Sequence, residues 1–273
     1  MTLGGLVWKL EIAVFGAFKK GYQALMKLIG IYNIKGGVGK TTSTVNLAWL
    51  STQLGGRSLV WDLDPQGAAS FYFRIQPKIK GGTRKLLKGK KNLGDVIRQT
   101  DYPGLDLVPA DLSYRNFDVA LNNAKKPGSV LKKLLKPVRS DYDYVFLDCP
   151  PSFSVLSENV FMSCDAVVVP MIPTTLSVRT YAQLIGFLKA NDMEDVPLMP
   201  FFTMVDRRKR MHTTILEEMP KRRDEFLRSY VPYASIVERM GTERRPLHLY
   251  AQSTTAAVAY SDLWQNITQR LAQ

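Results

Sequence analysis

Short apolar runs closed by turn residues recur along this chain, with longer mixed stretches between them. The runs Leu28–Asn33, Ser58–Asp62, Leu105–Pro109, Tyr144–Asp148, Ala166–Pro170 and Leu198–Met204 predict strands, with a shorter one over Tyr230–Pro232. Their apolar positions are mostly consecutive rather than alternate, the mark of strands covered on both sides. The stretches between them predict helices over Thr41–Leu54, Leu93–Arg98, Ser129–Leu135, Ser154–Met162, Ser177–Ala190, Thr213–Arg228 and Ala256–Leu271, with Pro220 expected to kink or split the sixth. Strand and helix in alternation give an α/β fold: a mostly parallel sheet with helices on both faces.

No internal repeat or long linker breaks this pattern, and 273 residues leave room for a full core. One domain over residues 26–273 is expected, preceded by a 25-residue extension rich in Leu, Val, Ile, Phe and Gly and broken by Lys9, Glu11, Lys19 and Lys20. That extension reads as a weak signal-like or amphipathic segment, an added helix, or a start assigned too far upstream.

The first strand runs into Lys35-Gly36-Gly37-Val38-Gly39-Lys40-Thr41-Thr42. A glycine-rich turn between strand and helix lets backbone N–H groups approach phosphate oxygens, and the helix N-terminus adds a favourable dipole. Gly36, Gly37 and Gly39 provide that approach, Lys40 reaches the β- and γ-phosphates, and the Thr41 hydroxyl is placed to ligate Mg²⁺. The loop departs from the usual pattern twice: Ile34 stands where a glycine is normal, and Lys35 is a second lysine. The strand Tyr144–Asp148 ends in a carboxylate, the geometry of a Walker B aspartate on magnesium. After the second strand comes Asp62-Leu63-Asp64-Pro65-Gln66-Gly67, whose carboxylate either positions an attacking water or simply makes good turn chemistry.

In this order and spacing, the loop at Lys35–Thr42, Asp62–Gly67 and Phe146–Pro151 resemble the ParA/MinD ATPases, whose Walker A motif is deviant. Thr203–Arg208 and the segment around Pro246–Tyr250 are similar too, so the resemblance covers roughly residues 26–270. It implies a P-loop NTPase fold, ATP and Mg²⁺ as cofactors, and a homodimer with two ATP molecules sandwiched between subunits. Lys35 is then implied to reach the partner subunit's nucleotide and Asp64 to position water, which makes Lys35, Lys40 and Asp64 the catalytic set. Residues 35–42 hold the nucleotide, and Thr41 and Asp148 the metal. Thr203-Met204-Val205-Asp206 has methionine where a guanine-reading site carries lysine, which favours ATP. The family commonly shows Glu-Ala-Pro-Ser in its C-terminal region; this chain reads Val237-Glu-Arg-Met-Gly-Thr-Glu-Arg-Arg-Pro246 there. The 25 residues ahead of the first strand leave no space for the helix-turn-helix domain of larger partition ATPases, so operator-specific repression is not expected.

Charge adds a partner. There are 37 Lys and Arg against 24 Asp and Glu, a surplus of +13, and such a surplus implies a polyanion. Arg207, Arg208, Lys209, Arg210, Lys221, Arg222, Arg223, Arg239, Arg244 and Arg245 lie in the half where ParA-type proteins carry their DNA surface. Non-specific DNA binding is therefore expected, against the plainer reading of solvated helix faces paired with nearby acids. A second basic cluster, Lys78 to Lys91, reads as an exposed loop. The resemblance also implies a ParB-like or cargo-adaptor partner that stimulates hydrolysis, and a nucleoid-associated protein of the cytosol.

Two other classes fit the residues less well. A membrane-cycling MinD-like ATPase needs a basic amphipathic C-terminal helix; Leu263, Trp264, Ile267 and Leu271 make an apolar face here, with Arg270 the one cation, which reads as core packing. An iron–sulfur electron carrier needs cysteines converging on a shared cluster. Cys149 and Cys164 sit in no such context, fit no disulfide framework, and suit a reducing compartment.

Overall fold

The computed structural model describes residues 26–53, 55–79, 82–87, 89–123 and 127–273; the expected N-terminal extension lies outside them. The strands are β1 (Lys27–Ile31), β2 (Ser58–Asp62), β3 (Arg98–Gln99), β4 (Leu105–Val108), β5 (Tyr144–Asp148), β6 (Ala166–Met171), β7 (Leu198–Val205) and β8 (Tyr230–Pro232). They form one sheet in the order β3-β4-β2-β5-β1-β6-β7-β8, parallel throughout except for β3. The longer helices are α1 (Lys40–Thr52), α2 (Val155–Ser163), α3 (Thr175–Ala190), α4 (Arg210–Arg222) and α5 (Thr255–Leu271). The expected α/β class and parallel sheet are present.

Consecutive apolar residues along each strand point to opposite faces, and two cores result. Leu28, Trp61, Val145, Leu147 and Val167 pack with Phe161 of α2, and Tyr181 and Leu188 of α3 on one face. Ile29, Val60, Phe146 and Val168 pack with Val45 of α1, and Tyr260, Leu263 and Ile267 of α5 on the other. The apolar face of α5 is thus core, as its lone cation suggested. Among the described residues no helix is long and apolar enough to cross a membrane.

The chain leaves β1 through α1 toward β2 on one side, and leaves β5 through α2 toward β6 on the other side of β1. The strand order reverses between them, and the loops leaving the carboxyl ends of β1 and β5 diverge. Open α/β sheets bind their ligands at that crevice.

Two expected elements differ. Leu93–Arg98 is not a helix: Leu93–Val96 makes one 3₁₀ turn, with Asn92 and Asp95 capping each other, and Arg98–Gln99 pairs antiparallel with Asp106–Leu107. Leu93 and Val96 alone are buried there, enough to anchor a single turn but not a helix. The helix expected over Thr213–Arg228 starts earlier and stops at Arg222. Pro220 is tolerated inside the final turn, but it has no N–H to return to the preceding turn. The chain then peels away, and the Leu227 amide bonds the Pro200 carbonyl of β7 at 2.8 Å.

Candidate functional site

The loop leaving β1 is pinned before the glycines begin. Asn33 is buried; its Nδ2 donates to the Pro170 carbonyl at the end of β6, and its Oδ1 accepts from the Lys35 amide, both at 2.8 Å. Gly37 (φ 71°) and Gly39 (φ 83°) then take left-handed conformations that strain any other residue. A Cβ on Gly36 or Gly37 would meet nothing within 4 Å, so the loop bounds open space. Gly39 caps α1 and offers no side chain to the first-turn N–H groups, which are free to take an anion.

The two lysines part here. Lys40 is buried, and its ammonium crosses the loop to donate to the Lys35 carbonyl at 3.1 Å. Burial lowers its pKa, opposed chiefly by the nearby Asp148 carboxylate. Lys35 is half-buried, and among the described residues its ammonium has no hydrogen-bond or ion-pair partner.

Asp148 closes the opposite wall. Its Oδ2 accepts from Thr41 Oγ1 at 2.8 Å and its Oδ1 from Thr44 Oγ1 at 3.0 Å. Asp62 stands beside it in register at the end of β2. Asp62 Oδ2 accepts from both the amide and hydroxyl of Ser70 at 2.7 Å, while Oδ1 is buried without a partner. Burial, and then Asp148, push the Asp62 carboxyl up to about 8; burial pushes Asp148 up to about 6. Lys40 is the positive charge near Asp148, Asp62 keeps an orphaned oxygen, and the two carboxyls with the Thr41 hydroxyl offer hard oxygen ligands. That set fits Mg²⁺.

The pair makes the metal-free protein pH-sensitive, with a definite sign. Both folded pKa values exceed the unfolded carboxylate value near 3.8, so the folded state holds more protons between the two. The pair's contribution to stability is greatest below about pH 4 and is lost as pH rises through about 6 and about 8. Urea midpoints measured from pH 5 to pH 8 on metal-free protein should fall toward pH 8 relative to an Asp62→Asn variant, and saturating Mg²⁺-nucleotide should flatten that difference.

Asp64 makes the turn that its motif predicted. Oδ1 accepts from the Gln66 amide at 2.9 Å and its carbonyl accepts from the Gly67 amide at 2.9 Å, a true turn. The turn nonetheless leaves the half-buried carboxylate where its charge acts on Lys40 and Asp148. On the far side of the loop, Thr203 and Met204 (φ 53°) of β7 join Pro232 and Tyr233 in a narrow cleft beside Gly39 and Thr42. Asn33, Thr44, Asp62, Pro232 and Tyr233 thus complete a site of which the motifs named Lys35–Thr42, Asp64, Asp148 and Thr203–Asp206.

The ten basic residues expected at DNA fall on two sides of the sheet. Arg207, Arg208, Lys209 and Arg210 are exposed at the start of α4, and Lys221, Arg222 and Arg223 at its end; α4 packs through Ile215, Leu216 and Met219 on the face of α2 and α3. Arg239, Arg244 and Arg245 flank Met240, which is buried in the other core. Six are ion-paired within the chain: Arg208 with Asp206, Lys221 and Arg222 with Glu218, Arg223 with Glu225, and Arg239 and Arg245 with Glu243. Arg244 lies over the Phe71 ring at 4.3 Å. Among the described residues Arg210 carries no acid partner, Lys209 makes no ion pair although its charge acts on Asp206, and Arg207 bonds the Tyr230 hydroxyl at 3.5 Å. Of the 78–91 cluster, Lys80 and Lys88 lie outside the described residues.

Comparison with known proteins agrees with this architecture. A family model described as an AAA domain matches residues 26–195. The chain is 30% identical over 247 residues to the sporulation initiation inhibitor protein Soj of Bacillus subtilis (strain 168), covering 88% of this chain and 98% of that protein. It is also 30% identical over 257 residues to the chromosome partitioning protein ParA of Caulobacter vibrioides (strain NA1000 / CB15N), covering 90% and 95%. Among solved structures, a putative plasmid partition protein from Borrelia burgdorferi B31 bound to AMPPNP superposes with a TM-score of 0.78 at 25% identity, over 90% of this chain and 99% of that one. Cobyrinic acid a,c-diamide synthase from Mycobacterium smegmatis with bound ADP and magnesium gives 0.75 at 25% identity, over 91% and 96%. With a glycine loop carrying two lysines, paired carboxyls at adjacent strand ends and relatives matched over nearly their full length, the chain belongs to the ParA/MinD family of P-loop ATPases.

Proposed function

We propose that this protein is a ParA-type partition or positioning ATPase whose ATP-bound form is a dimer held together through Lys35. The observation that carries this reading is the division of labour between the lysines. Lys40 is committed to the loop of its own subunit, while the Lys35 ammonium has no partner among the described residues. A cation at the mouth of a phosphate site gains most from a second copy's polyphosphate, so nucleotide binding and pairing become linked equilibria.

Within one subunit the roles follow from position. The amides of Gly36 to Thr42, including Val38, would surround the phosphates, and Lys40 would reach the β- and γ-phosphates. Thr41 and Asp148 would hold Mg²⁺, with Asp62 behind them on the adjacent strand, and the bound ion would supply charge neutralisation to the phosphates. Asp64 orients the attacking water and takes up its proton, and the Met204–Tyr233 cleft receives the base. Stimulation by a ParB-like or cargo-adaptor protein, cytosolic location and association with the nucleoid belong to the same reading. Residues 26–273 act as one ATPase domain.

DNA binding is assigned first to Arg207, Lys209 and Arg210, because exposed cations not held in an ion pair among the described residues have the most charge to offer phosphates. In a retardation assay with ATP, replacing these three by alanine should weaken binding to duplexes of any sequence more than replacing Lys221, Arg222 and Arg223. It should also lower the salt slope by about 0.9 for each phosphate that is no longer neutralised. Operator-restricted or salt-insensitive binding would count against the assignment.

The reading as a whole is tested by DNA retention with ATP, ADP and no nucleotide. Retention that requires ATP and ends when an adaptor speeds hydrolysis is expected; equal retention in all three states would contradict it.

A further inference from the structure

A second cleft, of about 550 Å³, opens at the other end of the sheet. Met26 and Leu28 of the β1 entry and Leu135 form its apolar floor, and all three are buried. Along one wall stand Lys132, Lys133, Lys136 and Arg139, which reach solvent. The facing wall contributes Asp165, the sole acid in the lining, whose Oδ2 already accepts from the Leu28 amide at 2.7 Å.

Two features separate this group from the arginines around α4. None of its four cations has an ion-pair partner among the described residues, whereas six of the ten expected at DNA do. Their charge is therefore available to a ligand. They also border a recess rather than a convex face. A duplex presents phosphates on its outside and cannot place apolar groups on the floor between Met26 and Leu135. The row from Lys132 to Arg139 runs seven residues, roughly 10 Å at a helical rise, longer than one carboxylate or phosphate. A match needs several negative charges in a line with an apolar group beside them.

We propose that this cleft docks an acidic peptide segment of a partner protein, seating one apolar side chain on the Met26–Leu28–Leu135 floor between Asp or Glu residues that pair with Lys132, Lys133, Lys136 and Arg139. The cleft faces the amino end of β1 and the phosphate loop the carboxyl end, about 16 Å away over five residues. Docking here leaves the nucleotide site uncovered and does not depend on it.

The test is a random-peptide display library panned on the full-length protein without nucleotide. Enriched peptides should carry an apolar residue flanked by Asp or Glu. Made synthetically and followed by fluorescence anisotropy, they should bind about tenfold or more weaker (~1.4 kcal/mol) to K132E/K136E and to K133E/R139E. Affinity should also fall steeply with salt and be abolished when the peptide's acids become amides, a change that needs no protein variant. Enrichment without an acidic excess would overturn the proposal, as would unchanged affinity for variants that melt normally. Displacement of the peptide by duplex DNA, with a matching drop of DNA affinity in the variants, would instead assign these cations to a nucleic-acid surface and overturn it too.

Discussion

Replacing Asp64 by asparagine should lower ATP hydrolysis by about 10²–10⁴-fold, the range of a lost general base, while leaving nucleotide binding near its original strength. The substitution is chosen for what it keeps. Asparagine retains an Oδ1 that accepts from the Gln66 amide, so the turn fixed by that 2.9 Å bond persists. What disappears is the negative charge, and with it the capacity to take a proton from water. If turn geometry were the residue's whole contribution, the variant would hydrolyse ATP normally. Single-turnover hydrolysis beside equilibrium binding of a fluorescent ATP analogue separates the outcomes. The variant should also accumulate as an ATP-bound dimer, because hydrolysis is the step that ends the paired state.

Replacing Lys35 by alanine should have the complementary effect. Lys40 keeps its burial and its reach across the loop, so each subunit still binds ATP. The amide of residue 35 still bonds Asn33 Oδ1, since that bond is made by backbone, and the loop keeps its shape. Pairing should fail, because each subunit gives up the one cation assigned to the other's phosphates. By symmetry a dimer would forgo two such ion pairs. A charge-assisted hydrogen bond contributes about 1.5–3 kcal/mol, so removing both shifts the dimer equilibrium by about a hundredfold or more.

How legible this was in the sequence varied with the range of the interactions involved. β2, β5 and β8 occupy Ser58–Asp62, Tyr144–Asp148 and Tyr230–Pro232, as their apolar runs and bounding turns predicted. β3 carried no such signal. Arg98 and Gln99 are both exposed, and they are a strand only because the edge of β4 lies beside them. The phosphate loop was readable because its chemistry is local, with glycines, lysine and threonine contiguous. Asp62 was visible as the end of a predicted strand and the start of the Asp62–Gly67 motif, but not as a partner of Asp148; its burial there is set by the β2–β5 register, which no local pattern encodes. Thr44 resembles any helical threonine until α1 packs on β5 and brings its hydroxyl to Asp148. Asn33 is a single polar residue at a strand end, and its function as a pin depends on the carbonyl of Pro170, 137 residues away in sequence. Motifs within one loop are written in sequence, whereas contacts across strands are written in topology.

The ten basic residues teach a related lesson. Composition gives their number and sign, yet the acids that pair with them decide how much charge faces outward. Glu243 takes two arginines and Glu218 takes a lysine and an arginine. Exposed pairs of this kind are weak, typically below about 1 kcal/mol, so DNA phosphate can compete for them. Among the described residues no ion pair has to be displaced at Lys209 or Arg210.

Coupling of ATP to pairing through Lys35 is tested most directly by sedimentation velocity. Wild-type protein and Lys35→Ala are run with ADP, with ATP and Mg²⁺, and in an Asp64→Asn background that prevents turnover during the run. Every sample should be a monomer in ADP, and Asp64→Asn should be a dimer with ATP. The Lys35→Ala/Asp64→Asn double variant should stay a monomer despite saturated nucleotide. A double variant that dimerises with ATP as readily as Asp64→Asn would contradict the role given to Lys35.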